Sequence, residues 1–234
     1  MMPAGRERRM VSVLDGWPFS DDQAVIGGYA VAAYGPARYS QDLDVVVSRA
    51  SLEGVKEWLR SEGFEFRKGS SVQPGSDALF LRGTDGQATV DILSGAVVDR
   101  EVKVKIPDIW IIEKSRKTRL ILMSSSTQHE VPIARPEAIW ALKLQAGRDQ
   151  DIGDLFSISR HSIDASEIIS LFRLLRSKTL SDRLEKVRGK LHEPKLYEDS
   201  ISRLGRGKPA DKRNRKDWSN FVSLAIRIID SSMP

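Results

Sequence analysis

Ala24-Val25-Ile26-Gly27-Gly28-Tyr29-Ala30 and, fourteen positions after the second glycine, Asp42-Leu43-Asp44-Val45-Val46-Val47 decide the fold of this chain. Ala24 to Ile26 is a short apolar run that ends at two glycines. Tyr29 to Tyr34 then reads as a brief helix, stopped by Gly35-Pro36. The pattern is strand, tight turn, helix. A turn without side chains lets backbone N–H groups approach a phosphate, and the N-terminus of the following helix favours negative charge. A Gly-Gly turn also serves structure alone, so Gly27 and Gly28 gain meaning only from the residues downstream of them.

Downstream lies a β-branched strand, Leu43 to Val47, opened by Asp42 and Asp44. Side chains two apart on a strand project to one face, so both carboxylates point together while Leu43, Val45 and Val47 face the other way. Like charges held that close repel unless a cation or strong donors offset them. A third acid, Asp91, stands in Thr89-Val90-Asp91-Ile92-Leu93, where Val90 and Ile92 should face a core. Three carboxylates from two adjacent strands can hold two Mg²⁺, one activating an attacking hydroxyl and one neutralising a leaving pyrophosphate. The plain alternatives are solvated acids at a strand edge and a solvent-facing Asp91.

Outward from this core, Leu52 to Ser61 reads as a helix with Val55, Trp58 and Leu59 on one stripe and Ser51 as its N-cap. Phe64 to Arg67, Ala78 to Arg82 and Thr89 to Leu93 are strand candidates, the last two joined by the hairpin signal Asp85-Gly86. Residues 101–133 read as further β-structure of unassigned register, as in Val102 to Ile106 and Leu120 to Met123. From Pro136 the texture turns helical. Pro136 suits a first helical position, a second helix should start near Arg148, Asp164 with Glu167 resembles a capping box, and Trp218 to Ile229 marks a last amphipathic helix. Arg203 to Lys216 reads as an exposed loop with seven basic residues and one acid.

The 234 residues carry 40% hydrophobic and 29% charged side chains, a globular balance that excludes wholesale disorder. The absence of cysteine excludes disulfides, thiolate zinc sites and a catalytic thiol, leaving oxygen ligands for a hard metal. The charged N-terminus has no apolar run behind it, and no stretch of about 18 apolar residues exists, so the expectation is a cytoplasmic protein without a membrane segment. From Ser157 onward there are 17 Lys and Arg against 10 Asp and Glu, so that part is net +7 and the rest net −2. A basic C-terminal region suits a polyanionic partner, though a solvated basic face reads the same way.

Gly27-Gly28-Tyr29-Ala30 followed by Arg38-Tyr39-Ser40-Gln41-Asp42-Leu43-Asp44 resembles the signature of the nucleotidyltransferase superfamily related to DNA polymerase β. Pro136-Glu137-Ala138-Ile139-Trp140-Ala141-Leu142-Lys143, then Arg148-Asp149-Gln150-Asp151-Ile152-Gly153-Asp154-Leu155, resembles the later motifs of its AbiEii-type branch, which includes MenT-like toxins. The two motif pairs stand in the family's order and span residues 24 to 156.

The resemblance implies an α/β (α+β) nucleotidyltransferase domain with a mixed sheet over residues 1–134, and a helical, basic domain over 135–234. NTP and Mg²⁺, or Mn²⁺, would bind in the cleft between them. Asp42, Asp44 and Asp91 would hold the metal. Lys143 would meet the nucleotide phosphates, and Asp151 or Asp154 would complete or orient the site. Gly27, Gly28, Arg38, Ser40 and Arg148 would join the nucleotide site, although Ser40 could equally cap its turn and Arg148 could pair along its helix with Asp151 or Asp154. Arg206, Lys208, Lys212, Arg213 and Arg215 would grip the acceptor, with RNA, and tRNA first, as the acceptor implied by the toxin branch. A toxin would have a cognate antitoxin. The chain departs from the pattern where many members have Gly-Ser in place of Gly27-Gly28, and Tyr29 is larger than the usual residue. Transfer to a small molecule or a protein, and a catalytically silent binding module, are the alternatives.

Overall fold

The computed structural model describes residues 3–36, 39–68, 77–122, 128–205, 208–209 and 211–233. The chain divides into two compact units, one made of Met1–Val98 with Lys105–Arg135 and the other of Asp99–Val104 with Pro136–Pro234.

The first unit opens with α1 (Pro3–Gly16), then β1 (Gln23–Ile26), α2 (Gly27–Tyr34), β2 (Leu43–Val47), α3 (Leu52–Ser61), β3 (Glu65–Lys68), β4 (Leu79–Thr84) and β5 (Thr89–Ser94). A short pair, β6 (Ala96–Val98) and β7 (Lys105–Pro107), comes next, and then α4 (Asp108–Ile112), β8 (Ser115–Ile121) and β9 (Gln128–Ala134). Among the described residues seven strands form one mixed sheet in the order β3-β4-β5-β2-β1-β9-β8, with β2 parallel to β5, β1 parallel to β9, and the other pairs antiparallel. Leu43, Val45, Val46 and Val47 are fully buried, which explains why this near-continuous apolar run became an interior strand covered on both faces. At the opposite extreme β8 is an edge, and its exposed Arg116, Lys117 and Arg119 oppose further pairing.

The strand at Leu43–Val47 and the helix at Leu52–Ser61 have the bounds expected from periodicity, and Asp85-Gly86 turns the β4–β5 hairpin, with Gly86 at φ 81°. Ser51 precedes α3 but does not cap it. Its hydroxyl is donated to Asp22 Oδ2 at 2.5 Å, as is that of Ser48. The β reading of residues 101–133 holds for Ser115–Ile121 and Gln128–Ala134, which pair as β8 and β9, and needs correction in its first part. Only Lys105–Pro107 of the first alternating stretch pairs as a strand, α4 interrupts, and Leu120 belongs to β8, while Met123 lies outside the described residues.

The second unit holds α5 (Pro136–Ala146), α6 (Asp149–Ile158), α7 (Ala165–Leu174), α8 (Lys178–Lys190), α9 (Pro194–Arg203) and α10 (Lys212–Ser232). Residues 99–104 join it by hydrogen bonds, Gln145 Nε2 donating to the Val104 carbonyl at 2.6 Å and the Thr179 hydroxyl to that of Val102 at 2.9 Å. Its core is aromatic, with Phe156 4.9 Å from Trp218 and 5.5 Å from Phe221, and Trp140 5.7 Å from Phe221. The basic loop expected over Arg203 to Lys216 is shorter than expected, with helix at both of its ends. Arg203 ends α9, and Lys212 to Lys216 form the first turn of α10, capped by the Asp211 carboxylate, which accepts from the Arg213 N–H at 2.7 Å. Asp164 caps α7 through the Ser166 N–H at 3.0 Å. Among the described residues no helix is long and apolar enough to cross a membrane.

Candidate active site

The sheet register places the first cluster. Asp44 lies opposite Ile26 on antiparallel β1 and opposite Asp91 on parallel β5, so the two carboxylates stand on neighbouring strands beside the point where β1 runs into α2. Gly27 makes that junction. It sits at φ 66°, and a Cβ built on it would lie 2.0 Å from Asp44 Oδ2 and 2.8 Å from Asp44 Cγ. Only glycine tolerates both the left-handed backbone and the carboxylate against its Cα. Asp44 is thus seated against the first residue of α2, where the helix presents its N-terminal N–H groups.

Asp42 stands in the bend just before β2. Arg82 on β4, directly opposite Asp91 in the hairpin, joins it to the others: its Nε donates to Asp91 Oδ1 at 2.8 Å, and its Nη2 to Asp91 Oδ2 at 2.6 Å and to Asp42 Oδ2 at 3.0 Å. Burial, followed by the negative charge of Asp91, pushes the Asp42 carboxyl above its usual range, with Arg82 offsetting part of the effect. The hydrogen bond to Asp91 and the surrounding carboxylates raise Arg82 further still. Tyr29 is buried behind this rim, and burial raises its hydroxyl.

Arg82 bridges Asp91 and Asp42, the charge of Arg6 also acts on Asp42, and the carboxylate donors are hard oxygens of the kind Mg²⁺ takes. The seat against Gly27 and the upward push on Asp42 are what a cation at Asp42 and Asp44 would relieve, so these residues fit the metal. Among the described residues no three of His, Cys, Asp and Glu are gathered so as to hold a metal as they stand. Ser40 lies in the segment leading to Asp42, and Arg38 lies outside the described residues.

The second cluster belongs to the helical unit. Lys143 on α5 donates from Nζ to Asp151 Oδ1 and Asp154 Oδ2 on α6, both at 2.8 Å. Asp151 is also the N3 residue of α6, where it accepts from the Arg148 backbone N–H at 3.2 Å and from Arg148 Nε at 2.6 Å. Both carboxylates are buried. The charges of Lys143 and Arg148 and their hydrogen bonds hold Asp151 below the usual carboxylate range, against the opposing pull of burial. The spacing Lys143, Arg148, Asp151, Asp154 is therefore a built ion cluster. Lys208, Lys212, Arg213 and Arg215 are exposed, and Arg206 lies outside the described residues. Lys208 and Arg215 line a cavity of about 700 Å³ with Tyr197, Trp218, His192 and two acids, Glu193 and Glu198.

The sequence model of the family described as "Nucleotidyl transferase AbiEii toxin, Type IV TA system" matches residues 13–227, which takes in both clusters. The chain belongs to the AbiEii nucleotidyltransferase toxin family. It is an enzyme of nucleotidyl transfer, with the mixed α/β fold of that family. Among solved structures it is similar to JHP933 from Helicobacter pylori (15% identity, TM-score 0.45, covering 98% of this chain and 93% of that one). It is also similar to MenT4, a nucleotidyltransferase toxin from Mycobacterium tuberculosis H37Rv (16% identity, TM-score 0.45, covering 95% and 91%). A third is ANT(2″)-Ia in complex with adenylyl-2″-tobramycin (13% identity, TM-score 0.36, covering 94% and 97%). No curated protein sequence matches.

Sequence reasoning passed over Arg82, the residue that ties the AbiEii rim together. The signal was present: a hairpin closed by Asp85-Gly86 with Thr84 opposite Thr89 puts residue 82 opposite residue 91.

Proposed function

We propose that the chain moves an NMP from an NTP to a hydroxyl of RNA, with tRNA the leading acceptor, using Mg²⁺ or Mn²⁺ held by Asp42 and Asp44, with Asp91 as the third carboxylate of the rim. The observation that carries the reading is Asp44 seated against Gly27 at the start of α2, beside Asp42 and Asp91. Carboxylates at the mouth of a glycine turn repel phosphate unless a cation stands between them, and the turn itself offers N–H donors to the phosphate oxygens. Bound there, the metal neutralises the triphosphate and the charge that develops in an in-line displacement. The acceptor hydroxyl oxygen bonds to the α-phosphorus as the bond to pyrophosphate breaks, and the N-terminus of α2 holds the phosphates in place.

Lys143 supplies a compact positive charge to the nucleotide phosphates, and Asp151 and Asp154 hold its ammonium in position, with Arg148 as a second phosphate contact. Lys208, Lys212, Arg213 and Arg215 take the acceptor. The combination of cations with the faces of Tyr197 and Trp218 in one cavity suits a single-stranded segment, whose bases stack while its backbone is neutralised. As a toxin of a two-gene system acting in the cytoplasm, the enzyme would be held in check by a cognate antitoxin.

The test is incubation with each labelled NTP, Mg²⁺ and total RNA, in parallel with Asp44→Ala. Label entering an RNA band with the wild type and not with the variant is expected. Label on protein or on a small molecule would retain nucleotidyl transfer and remove RNA as the acceptor. Equal labelling by Asp44→Ala would place the chemistry elsewhere.

A further inference from the structure

Asp91 is the carboxylate whose environment differs from the other two. Its side chain is 5% exposed, and both of its oxygens are taken by one guanidinium in a two-pronged pair at 2.8 and 2.6 Å. The pair is built by the sheet. Arg82 and Asp91 are opposed across the β4–β5 hairpin, so their approach is fixed by the ladder and by the Asp85-Gly86 turn. A fork of this kind satisfies the carboxylate in geometry as well as charge, and arginine cannot shed its proton to make room for a metal. The same Nη2 reaches Asp42 Oδ2 at 3.0 Å, so a fixed positive charge already lies between the two acids.

We infer that Arg82 stands in for one of two cations: Asp91 is a partner of Arg82 and not a metal ligand, and the rim takes a single divalent ion through Asp42 and Asp44. The inference rests on the proposed metal site and adds to it the number of ions and the residue that sets the number. A second divalent ion on Asp42 and Asp91 would have to displace a guanidinium from a nearly buried carboxylate or lie against it, and like charges at that separation repel. With Arg82 replaced by glutamine, Asp42 and Asp91 would lose the guanidinium that bridges them, leaving a second pair of hard oxygens open to metal. Arg82 is in this sense a positioning residue.

The measurement is Mn²⁺ binding without nucleotide, counting free Mn²⁺ by EPR, for the wild type, Arg82→Gln, Arg82→Lys, Arg82→Gln with Asp91→Asn, and Asp44→Asn, with circular dichroism to confirm that each is folded. One ion per chain is expected for the wild type and for Arg82→Lys, which keeps the charge. Two are expected for Arg82→Gln, returning to one when Asp91→Asn is added, and none for Asp44→Asn. Two ions in the wild type, or one in Arg82→Gln, would overturn the assignment of Arg82 and leave the proposed metal site standing. No ion bound by any of these proteins would overturn both.

Discussion

Gly27→Ala tests the seating of Asp44 quantitatively. Two separate costs are expected. A non-glycine residue at φ 66° costs about 1–2 kcal/mol for the left-handed backbone. The new methyl would also meet Asp44 Oδ2 at 2.0 Å and Cγ at 2.8 Å, so the carboxylate must move, and forced repacking of this kind costs about 1–3 kcal/mol. The sum is roughly 2–5 kcal/mol in the wild type. In an Asp44→Ala background both contacted atoms are gone, the remaining 3.1 Å contact is to Cβ, and only the backbone cost of about 1–2 kcal/mol should remain. A double-mutant cycle by urea denaturation therefore has an expected coupling of about 1–3 kcal/mol. Activity should collapse in Gly27→Ala alone, because the displaced group is a proposed metal ligand. Equal destabilisation by Gly27→Ala in both backgrounds would refute the claim that the glycine exists to admit the carboxylate.

Lys143→Ala leaves Asp151 and Asp154 buried without their shared ammonium, a loss of about 3 kcal/mol at the low end of the range for breaking a buried pair, since Arg148 still reaches Asp151; thermal and urea melts measure it. Asp151 is held below its ordinary value of about 3.9 in the folded chain. Its contribution to stability is therefore complete above that value and is lost as pH falls through the lower folded value, so a urea series should show stability declining below about pH 4 with a shallower decline in Asp151→Asn. Replacing Lys212, Arg213 and Arg215 with alanine should flatten the salt dependence of RNA binding by about two units, at roughly 0.7 per phosphate contact for a single strand, while NTP binding with Mg²⁺ survives; identical slopes would remove the start of α10 from the RNA site.

Local features were the legible ones in the sequence. Periodicity and punctuation suffice for the strand and helix at Ala24 to Tyr34, although α2 begins at Gly27 with no separate turn, for β2 and α3, and for the start of α5 at Pro136, because each is set by residues within a few positions of one another. One element, and the start of another, were legible and passed over. Met10, Val13, Leu14 and Trp17 are all buried at helical spacing along and just after α1, yet the charged N-terminus was weighed only as evidence against a targeting signal. The glycines and proline at 205 to 209 suggested a loop reaching Lys216, whereas Asp211 is the N-cap that starts α10. Other features could not be read locally. Residues 99–104 belong to the helical unit through carbonyls that accept from Gln145 and Thr179, and no pattern in that stretch announces partners so far along the chain.

Arg82 shows where the boundary between the two kinds of knowledge lies. The motif supplies acids, and an Asp-x-Asp reading naturally seeks metals to neutralise them. The hairpin register, equally a property of the sequence, supplies a cation of the protein's own, opposite Asp91 and within reach of Asp42. Charge balance at such a site has to be worked over every residue that the ladder brings alongside, because a strand neighbour separated by nine positions in sequence contributes as much as the motif itself. The same reasoning applies to Lys143, whose ammonium meets two carboxylates because α6, with Arg148 as its N-cap, turns Asp151 and Asp154 onto one face. In both clusters the spacing of acids along the chain fixes where negative charge gathers, and the register of the neighbouring element decides how much of it is left for a ligand.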